Sequence, residues 1–401
     1  MFECAGLEMR ITSSIIRVFL FGLIMRIQSL LAAAVGLLMM ASSLAVGAAE
    51  AVVTDIAGRQ VRIDLPVQRV ILGEGRQIYL TAVLDRDNPF RRIVGWRNDL
   101  SSADPDNYAA YLEKFPEIAS IPTFGGFKDG TFDVEQAISL QPDVVIMNIE
   151  SRQATEDAKY IEKLAAAGIP LVYVDFREHP FVNTEPSMRL YGQLFGKEAE
   201  AETFIAWRAA EIAKVTDVIE RHQPLRPKVF IDRAGGYSEE CCMSFGDDNF
   251  GKFVTLAGGE NIARNIIPAT FGNLNPEQII ASNPDHVIVT GGMWDAYVPG
   301  GAWVGVGPGQ DRAEALRKLA ALTRRPAMTG IAAVRSKQVH AIWHQFYNSP
   351  YQFVGIQQMA KWLHPELFAD LDPEATFKTL HERFLPVDYR PGYWVSLTDA
   401  D

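Results

Sequence analysis

Short apolar runs alternate with helical segments along most of the chain. The segments "RVILG", "RRIVGW", "VVIMN" and "IPLVYVDF" predict buried strands, and "RQIYLTAVLD", "PDNYAAYLEKFPEI", "FDVEQAISLQ" and "ATEDAKYIEKLAAAG" between them predict helices. Strands that alternate with helices are typical of a parallel sheet with helices on both faces. Before them, "AVVTDIAGRQVRIDLP" predicts a strand pair that turns at Ala57-Gly58.

The same alternation starts again after one long helical segment. Residues from Lys197 to about His222 are nearly all strong helix formers, which predicts a helix roughly 39 Å long. The segments "RPKVFID", "FGKFVTLAGG", "NPEQIIASN", "HVIVTGG", "RAEALRKLAAL", "QVHAI", "SPYQFVGIQQMAKWLHPELF" and "DPEATFKTLHERFL" then repeat the strand and helix pattern. We therefore expect an N-terminal α/β lobe at 50–196, a connecting helix at 197–223 and a C-terminal α/β lobe at 224–401.

One short sequence occurs in both halves. "DVEQAISLQPDVVIMN" begins at Asp133 and "NPEQIIASNPDHVIVT" begins at Asn275, and their glutamates Glu135 and Glu277 stand 142 residues apart (277 − 135). Each copy predicts a capped helix with an acid in its first turn, then a Pro-Asp turn into a central strand. An acid at this position also complements the helix dipole, so a purely structural role for the two glutamates stays open.

The first 49 residues have the layout of an export signal. The stretch "MRIQSLLAAAVGLLMMASSLAVGAAEA" has a basic start, an apolar middle and small residues at its end, which predicts cleavage after Ala48 or Ala49. Met25 is an alternative start, which would leave 1–24 outside the protein. An uncleaved membrane anchor is the other interpretation. We expect a soluble periplasmic protein, and its net charge of −11 argues against nucleic acid and anionic membranes as partners.

Several features in a fixed order together resemble one protein family. They are the frame "TDIAGRQVRIDLPVQRVI", the two "EQ…PD.VI" segments, the long helix and "VRSKQVHAIWHQFYNSPYQFVGIQQMAKWLHPELF". From about Val52 to Phe368 the chain resembles the helical-backbone (class III) periplasmic substrate-binding proteins of ABC importers for iron–siderophore, haem and cobalamin complexes. The resemblance implies two Rossmann-like three-layer lobes joined by a single long helix, with the ligand cleft between them. It also implies that Glu135 and Glu277 meet basic residues on the two permease subunits.

The function implied by this resemblance is capture of a small-molecule ligand and delivery to an inner-membrane permease dimer with its ATPase. We expect a ferric-siderophore-type iron(III) chelate, with an outer-membrane receptor system upstream. Haem or cobalamin uptake stays open, and so does a ligand sensor that docks a membrane signalling receptor. The sequence has no nucleophile elbow, phosphate loop or zinc-protease signature, so neither an enzyme nor an intrinsic cofactor is expected.

The ligand cleft of such folds is lined by loops at the carboxyl ends of strands. Arginine there suits carboxylate or catecholate oxygens, and aromatic side chains cover an organic skeleton. Arg76 as a helix cap and the tryptophans as ordinary packing are the structural alternatives. The candidate ligand contacts at these loops are Arg76, Trp96, Arg97, Phe124, Arg233, Tyr237, Trp294, Trp303, His344 and Tyr347.

Two pairs of residues suggest further chemistry. The His344 imidazole and the Tyr347 phenolate can complete the shell of an iron centre that a chelator leaves open. Cys241 and Cys242, also candidate ligand contacts, are adjacent, with Cα atoms about 3.8 Å apart across a trans peptide, so no conventional disulfide framework is available. Two thiols, a disulfide between neighbours and soft metal ligands all stay open for this pair. The scattered histidines argue against binding of bare zinc or manganese.

Overall fold

The apolar strand segments form two separate main sheets in the computed structural model, which describes residues 49–127, 130–238 and 241–400. The export signal expected at 1–49 lies, except for its last residue, outside these ranges. Among the described residues, no helix has the length and apolar character needed to cross a bilayer.

The first half contains a strand pair and a four-stranded parallel sheet. Its strands are β1 (Ala49–Thr54), β2 (Gln60–Leu65), β3 (Val70–Leu72), β4 (Ile93–Trp96), β5 (Val144–Asn148) and β6 (Leu171–Val174). Strands β1 and β2 pair with each other as expected, and the others lie in the order β4-β3-β5-β6. Its helices are α1 (Ile78–Leu84), α2 (Leu100–Ala103), α3 (Pro105–Lys114), α4 (Val134–Ser139), α5 (Arg152–Asp157), α6 (Tyr160–Ala166) and α7 (Pro180–Phe195).

The long helix α8 runs from Glu198 to His222, within the limits expected from its sequence. One side of it buries apolar residues such as Phe204 and Val215. Buried polar residues also fasten it to the second half, because Gln357 Nε2 donates to Glu211 Oε2 over 2.9 Å. These contacts pack one side of the helix against the rest of the protein, and its other side is exposed.

The second half contains a five-stranded sheet and a small two-stranded sheet. Its strands are β7 (Lys228–Asp232), β8 (Met243–Phe245), β9 (Glu260–Asn261), β10 (Phe271–Asn273), β11 (His286–Gly291), β12 (Val339–Trp343) and β13 (Trp394–Ser396). The sheet order is β13-β12-β11-β7-β9, parallel except for β13, and β8 pairs antiparallel with β10. Its helices are α9 (Phe250–Leu256), α10 (Pro276–Ser282), α11 (Arg312–Leu322), α12 (Ala332–Arg335), α13 (Gln352–Leu363) and α14 (Pro373–Phe384).

Alternate residues of each strand enter different hydrophobic clusters. In β5, Val144 and Ile146 join one cluster while Val145 joins another. In β7, Val229 joins that first cluster, while Phe230 faces away from it. One face of each sheet therefore packs on a shared core, and the other face has a core of its own. The predicted fold class, α/β with three-layer halves, is confirmed.

The repeated sequence occupies equivalent places in the two sheets. Asp143 precedes β5 and accepts a hydrogen bond from the backbone N–H of Arg69 at 2.9 Å. Asp285 precedes β11 and accepts one from the N–H of Lys228 at 2.8 Å. Each aspartate thus satisfies the backbone at the start of the neighbouring central strand. The repeat therefore encodes a strand junction as well as a helix.

Several elements differ from the sequence expectations. The predicted helix "ATEDAKYIEKLAAAG" is divided into α5 and α6, because Lys159 takes a left-handed conformation with φ of 54°. Helix α7 was not anticipated, and it contains Pro186 in its interior. The two-stranded sheet of β8 and β10 was also missed, since strands of three residues are too short for a recognisable alternation.

Two buried histidines lie side by side on β11 and β12. His286 Nδ1 is 3.2 Å from His340 Nε2, and the His340 ring stacks on Trp362 with centroids 4.4 Å apart. Burial lowers the pKa of His286 to about 4 and holds the pKa of His340 well below its ordinary value. Both rings therefore stay neutral in the folded protein at mildly acidic pH.

We predict that the folded protein loses stability as the pH falls from about 6.5 towards 4. Above pH 6.5 these histidines are neutral in both states, whereas below it the unfolded chain binds protons that the buried rings reject. His286→Gln should reduce this loss by roughly 1–3 kcal/mol, as judged by urea unfolding at pH 7.5 and pH 5. Equal pH dependence in the variant and the parent protein would contradict the prediction.

Candidate functional site

The carboxyl ends of the two sheets meet at Tyr347. Tyr347 belongs to a 3₁₀ segment, His344–Asn348, that follows β12. Arg76, which follows β3, donates from Nη1 to the Tyr347 hydroxyl over 3.0 Å. The guanidinium of Arg177, which follows β6, lies 4.9 Å from the centre of the same ring. Tyr347 therefore forms a floor between the halves, at the place where such folds bind ligands.

Buried carboxylates neutralise the arginines of the first half. Arg76 pairs with Glu74 and, over 3.1 Å, with Asp99. Arg177 pairs with Glu150 over 2.8 Å. Burial alone would raise the pKa of Glu74, but the cations of Arg76 and Arg177 hold it below its ordinary value. Acidic side chains therefore already compensate the charges of Arg76 and Arg177 before any ligand arrives.

Arg233, which follows β7, lacks such compensation. Its guanidinium lies 4.0 Å from the centre of the Phe271 ring and donates from Nη1 to Met243 Sδ over 3.7 Å. Among the described residues no carboxylate pairs with it, and its Nε has no hydrogen-bond partner. Burial lowers the pKa of Arg233, which shows how poorly its charge is solvated. An anionic group at this position would satisfy both the charge and the free donor.

His344 lies within the influence of all three arginines. Burial together with Arg233, Arg76 and Arg177 holds its pKa well below the ordinary value, so the ring is neutral. Its Nδ1 is 2.8 Å from Thr290 Oγ1, and its ring centre is 4.3 Å from that of Tyr347. A neutral imidazole can accept a hydrogen bond or bind a metal. Within the described residues, no group of three or more His, Cys, Asp or Glu side chains is arranged to hold a metal ion.

Aromatic rings continue from His344 to the surface. Trp294 lies edge-on to His344 at 5.4 Å, and Tyr237 lies 5.5 Å from Trp294. Tyr297 follows at 6.4 Å from Tyr237, and its hydroxyl is 2.8 Å from Ser102 Oγ of the first half. Tyr237 and Tyr297 are 38% and 47% exposed, so this wall leads from solvent to the charged floor. It can cover the apolar part of an organic ligand.

Further contacts join the two halves beside the floor. His179 Nδ1 of the first half is 2.6 Å from Asp248 Oδ2 of the second, and this bond raises the pKa of His179. Thr270 donates to Glu178 Oε2 over 2.9 Å, and Asn249 Nδ2 donates to the Arg177 carbonyl over 2.6 Å. Opening the cleft therefore requires several polar contacts to break together.

The predicted ligand contacts fall into two groups. The structure brings together Arg76, Arg233, Tyr237, Trp294, His344 and Tyr347. Trp96 has no exposed surface and packs against Phe90 in the first half. Phe124 packs against Phe132 in the same half, and Trp303 lies beneath the Lys318 ammonium at 3.9 Å. For these three, the structure shows packing roles. Ligand contact by any of the candidates stays a prediction.

Arg97 and Arg177 lie beside the same buried acids. The positive charge of Arg97 acts to lower the pKa of both Glu74 and Asp99. Arg177 was absent from the candidates, although "VYVDFREH" places it three residues beyond a strand. The rule that selected Arg233 after "VFID" would have found it. No comparable sequence signal marked Glu74 and Asp99, because acidic residues are common in the loops that follow strands.

The cysteine pair is a disulfide between neighbours in this structure. Their peptide bond is cis and their Cα atoms are 3.1 Å apart, whereas the sequence-based argument assumed a trans peptide. Cys242 is 5% exposed and joins a hydrophobic cluster, while Cys241 is half-buried. Of the states left open by the sequence, the structure contains the disulfide.

Glu135 and Glu277 are both exposed in the first turns of α4 and α10. Asp133 and Asn275 supply the side-chain caps of these helices, so neither glutamate is needed as a cap. In the ranges that the structure describes, neither carboxylate accepts a hydrogen bond or pairs with a cation. Both are thus free to meet a partner.

Comparison with known proteins identifies relatives of this chain. The family described as "Periplasmic binding protein" matches residues 101–344. The TroA-like periplasmic binding protein FepB from Veillonella parvula superimposes with a TM-score of 0.77 at 27% identity, over 86% of this chain and 99% of that one. A cobalamin-binding protein of Halobacterium salinarum is 26% identical over 187 residues, 46% of each chain. The uncharacterized ABC transporter substrate-binding lipoprotein YvrC of Bacillus subtilis is 22% identical over 60% of this chain and 68% of its own. The chain thus spans about half the length of the Halobacterium relative.

We predict that Arg76 contributes much more to the free energy of unfolding than Arg233 does. Arg233→Met removes a cation without an acidic partner and should change the free energy of unfolding by less than about 1 kcal/mol. Arg76→Met leaves Glu74 and Asp99 buried without their nearest counter-charge and should cost roughly 3–5 kcal/mol. Urea unfolding of both variants at neutral pH measures the difference. Similar losses in the two variants would mean that Arg233 has a structural role.

Proposed function

The chain belongs to the periplasmic binding protein family, and from this premise we propose that it is the solute-binding component of an ABC importer for an anionic metal chelate. The observation that carries this proposal is Arg233, which has no acidic partner among the described residues, beside a neutral His344 and an aromatic wall. Such a site has cationic donors for acidic oxygens and apolar surface for an organic skeleton.

A ferric-siderophore-type chelate fits this combination. Its carboxylate or catecholate oxygens would meet Arg233, whereas Arg76 and Arg177 are already paired with acids of the first half. His344 and Tyr347 lie side by side at the buried floor, where they could approach an iron centre that its chelator leaves open once the contacts between the halves open. The iron would be cargo, and the chelator would supply most of its ligands.

Haem or cobalamin is the second candidate ligand. The Halobacterium relative is named a cobalamin-binding protein, and haem proteins use an axial histidine or tyrosine. Here His344 and Tyr347 are both buried at the floor, so either could face a flat macrocycle only if the contacts between the halves open. Arg233 favours the more acidic chelate, because no described carboxylate pairs with it.

Delivery of the ligand requires a partner with two equivalent docking sites. The exposed glutamates Glu135 and Glu277 occupy equivalent helices of two similar halves, which suits docking to a permease dimer driven by its ATPase. The halves would be lobes at 50–196 and 224–401, with the helix at 197–223 restricting their motion to a small closure. Capture would take place in the periplasm, after export directed by residues 1–49. An outer-membrane receptor that supplies the chelate would act upstream.

We predict that a ferric siderophore quenches tryptophan fluorescence through Trp294, whose ring is 5.4 Å from His344. Titration with ferric catecholate, ferric hydroxycarboxylate, haem and cobalamin should give the tightest binding with one ferric siderophore. Arg233→Met should weaken that binding about tenfold or more, because a charged hydrogen bond is lost.

Tryptophan variants provide the control for this titration. Trp294→Phe should remove most of the quenching, whereas Trp303→Phe should preserve it, because Trp303 packs beneath Lys318. Tight binding of haem or cobalamin alone would favour the second candidate. Absence of quenching by every compound, together with unchanged calorimetric heats, would contradict a ligand site in this cleft.

We predict that charge reversal at both glutamates, Glu135→Arg with Glu277→Arg, abolishes uptake and leaves ligand affinity unchanged. Like charges would then face the basic sockets of the permease and oppose docking. The measurement is uptake of radioactive ferric chelate by cells that carry the cognate permease. The matched control reverses Glu162 and Glu260, which are also exposed, one in each half. Normal uptake by the Glu135/Glu277 variant would reduce these residues to surface acids.

A further inference from the structure

One backbone hydrogen bond links the disulfide of Cys241 and Cys242 to the start of the helix that carries Glu277. The Cys242 carbonyl accepts a hydrogen bond from the backbone N–H of Leu274 over 2.8 Å. The next residue, Asn275, caps helix α10. Movement of the cysteine pair therefore reaches the first turn of α10 through one hydrogen bond and one peptide unit.

The same segment also contacts the uncompensated arginine of the cleft. Met243, which follows the disulfide, accepts the backbone N–H of Arg233 at its carbonyl over 2.9 Å. Its Sδ accepts a second hydrogen bond from Arg233 Nη1 over 3.7 Å. The segment from Cys241 to Met243 thus lies between the ligand cleft and the exposed glutamate of the second half.

The disulfide is accessible from one side. Cys241 is half-buried, and both cysteines line a cavity of about 570 Å³ together with Asn275 and Gln278. Cys242 also packs into the hydrophobic cluster of the second half and is 5% exposed. A small thiol can therefore approach Cys241 Sγ, while Cys242 is shielded.

We propose that Cys241–Cys242 is a reversible redox modification site that sets how firmly the start of helix α10 is held to the segment from Cys241 to Met243. The docking part of this idea rests on the proposed function, whereas the redox chemistry does not. In the disulfide form a closed ring restricts the backbone between the two residues. In the dithiol form that restriction is lost, and the segment from Cys241 to Met243 gains conformational freedom.

The reaction is thiol–disulfide exchange with a dithiol reductant. A thiolate of the reductant attacks Cys241 Sγ, the disulfide bond breaks, and Cys242 leaves as a thiolate that takes up a proton. The second thiol of the reductant then attacks the mixed disulfide and releases Cys241 as a thiol. The reductant ends as a cyclic disulfide, so two electrons and two protons are transferred to the protein.

Hydrogen–deuterium exchange on the full mature chain tests the proposal without ligand or permease. Dithiothreitol should yield two alkylatable thiols by mass spectrometry and raise amide exchange in residues 271–282 by roughly threefold or more. The equivalent helix of the first half, Val134–Ser139, is the internal control and should not change.

Replacement of both cysteines by serine provides the matched variant. Cys241→Ser with Cys242→Ser should show the faster exchange without reductant and no response to dithiothreitol. If that variant does not fold, the reduced parent protein still decides the question. The proposal is overturned if dithiothreitol yields no alkylatable thiols in the folded parent protein. It is also overturned if amide exchange at 271–282 is the same in both redox states. Failure of ligand binding or uptake would leave this result unaffected.

Discussion

The buried charge network around Tyr347 is the constraint on which the site depends. Glu74, Arg76 and Arg177 come from the first sheet and meet Tyr347 from the second. Charges that leave water must be paired, and the loss of one partner leaves the other uncompensated. Asn348 adds to this requirement, because its Nδ2 donates to Glu74 Oε1 over 2.7 Å. The two halves are thereby held in one relative position, and this position defines the floor of the cleft.

The same physics explains why one arginine in the cleft differs from the others. Arg76 and Arg177 are balanced within the protein, whereas Arg233 rests against the Phe271 ring and a thioether. An unbalanced cation adds little to folding, but it provides a large favourable interaction once an anion arrives. Arg76 and Arg177 therefore contribute to stability, whereas ligand binding by the neighbouring Arg233 stays a prediction.

Most of the fold could be predicted because its pattern is local. Short apolar strands, capped helices and the long helix α8 each depend on residues that are close in sequence. One incorrect prediction also has a local cause, since Lys159 divides a segment whose composition favours a single helix. Part of the site could be predicted in the same way, because a strand-end rule selects Arg76, Arg233 and His344. It selects Trp96 equally well, although that side chain is in the core.

The sequence by itself therefore determined the two α/β halves, the long helix between them and the paired glutamates at equivalent positions. Tertiary structure alone decided which strand-end side chains face the cleft, because both faces of a parallel sheet are apolar and the pattern does not distinguish them. It also decided which arginines are neutralised, since Glu74 and Asp99 become partners of Arg76 only when separate loops converge. Charge compensation depends on distances in space, and such distances between remote segments exist only in the folded chain.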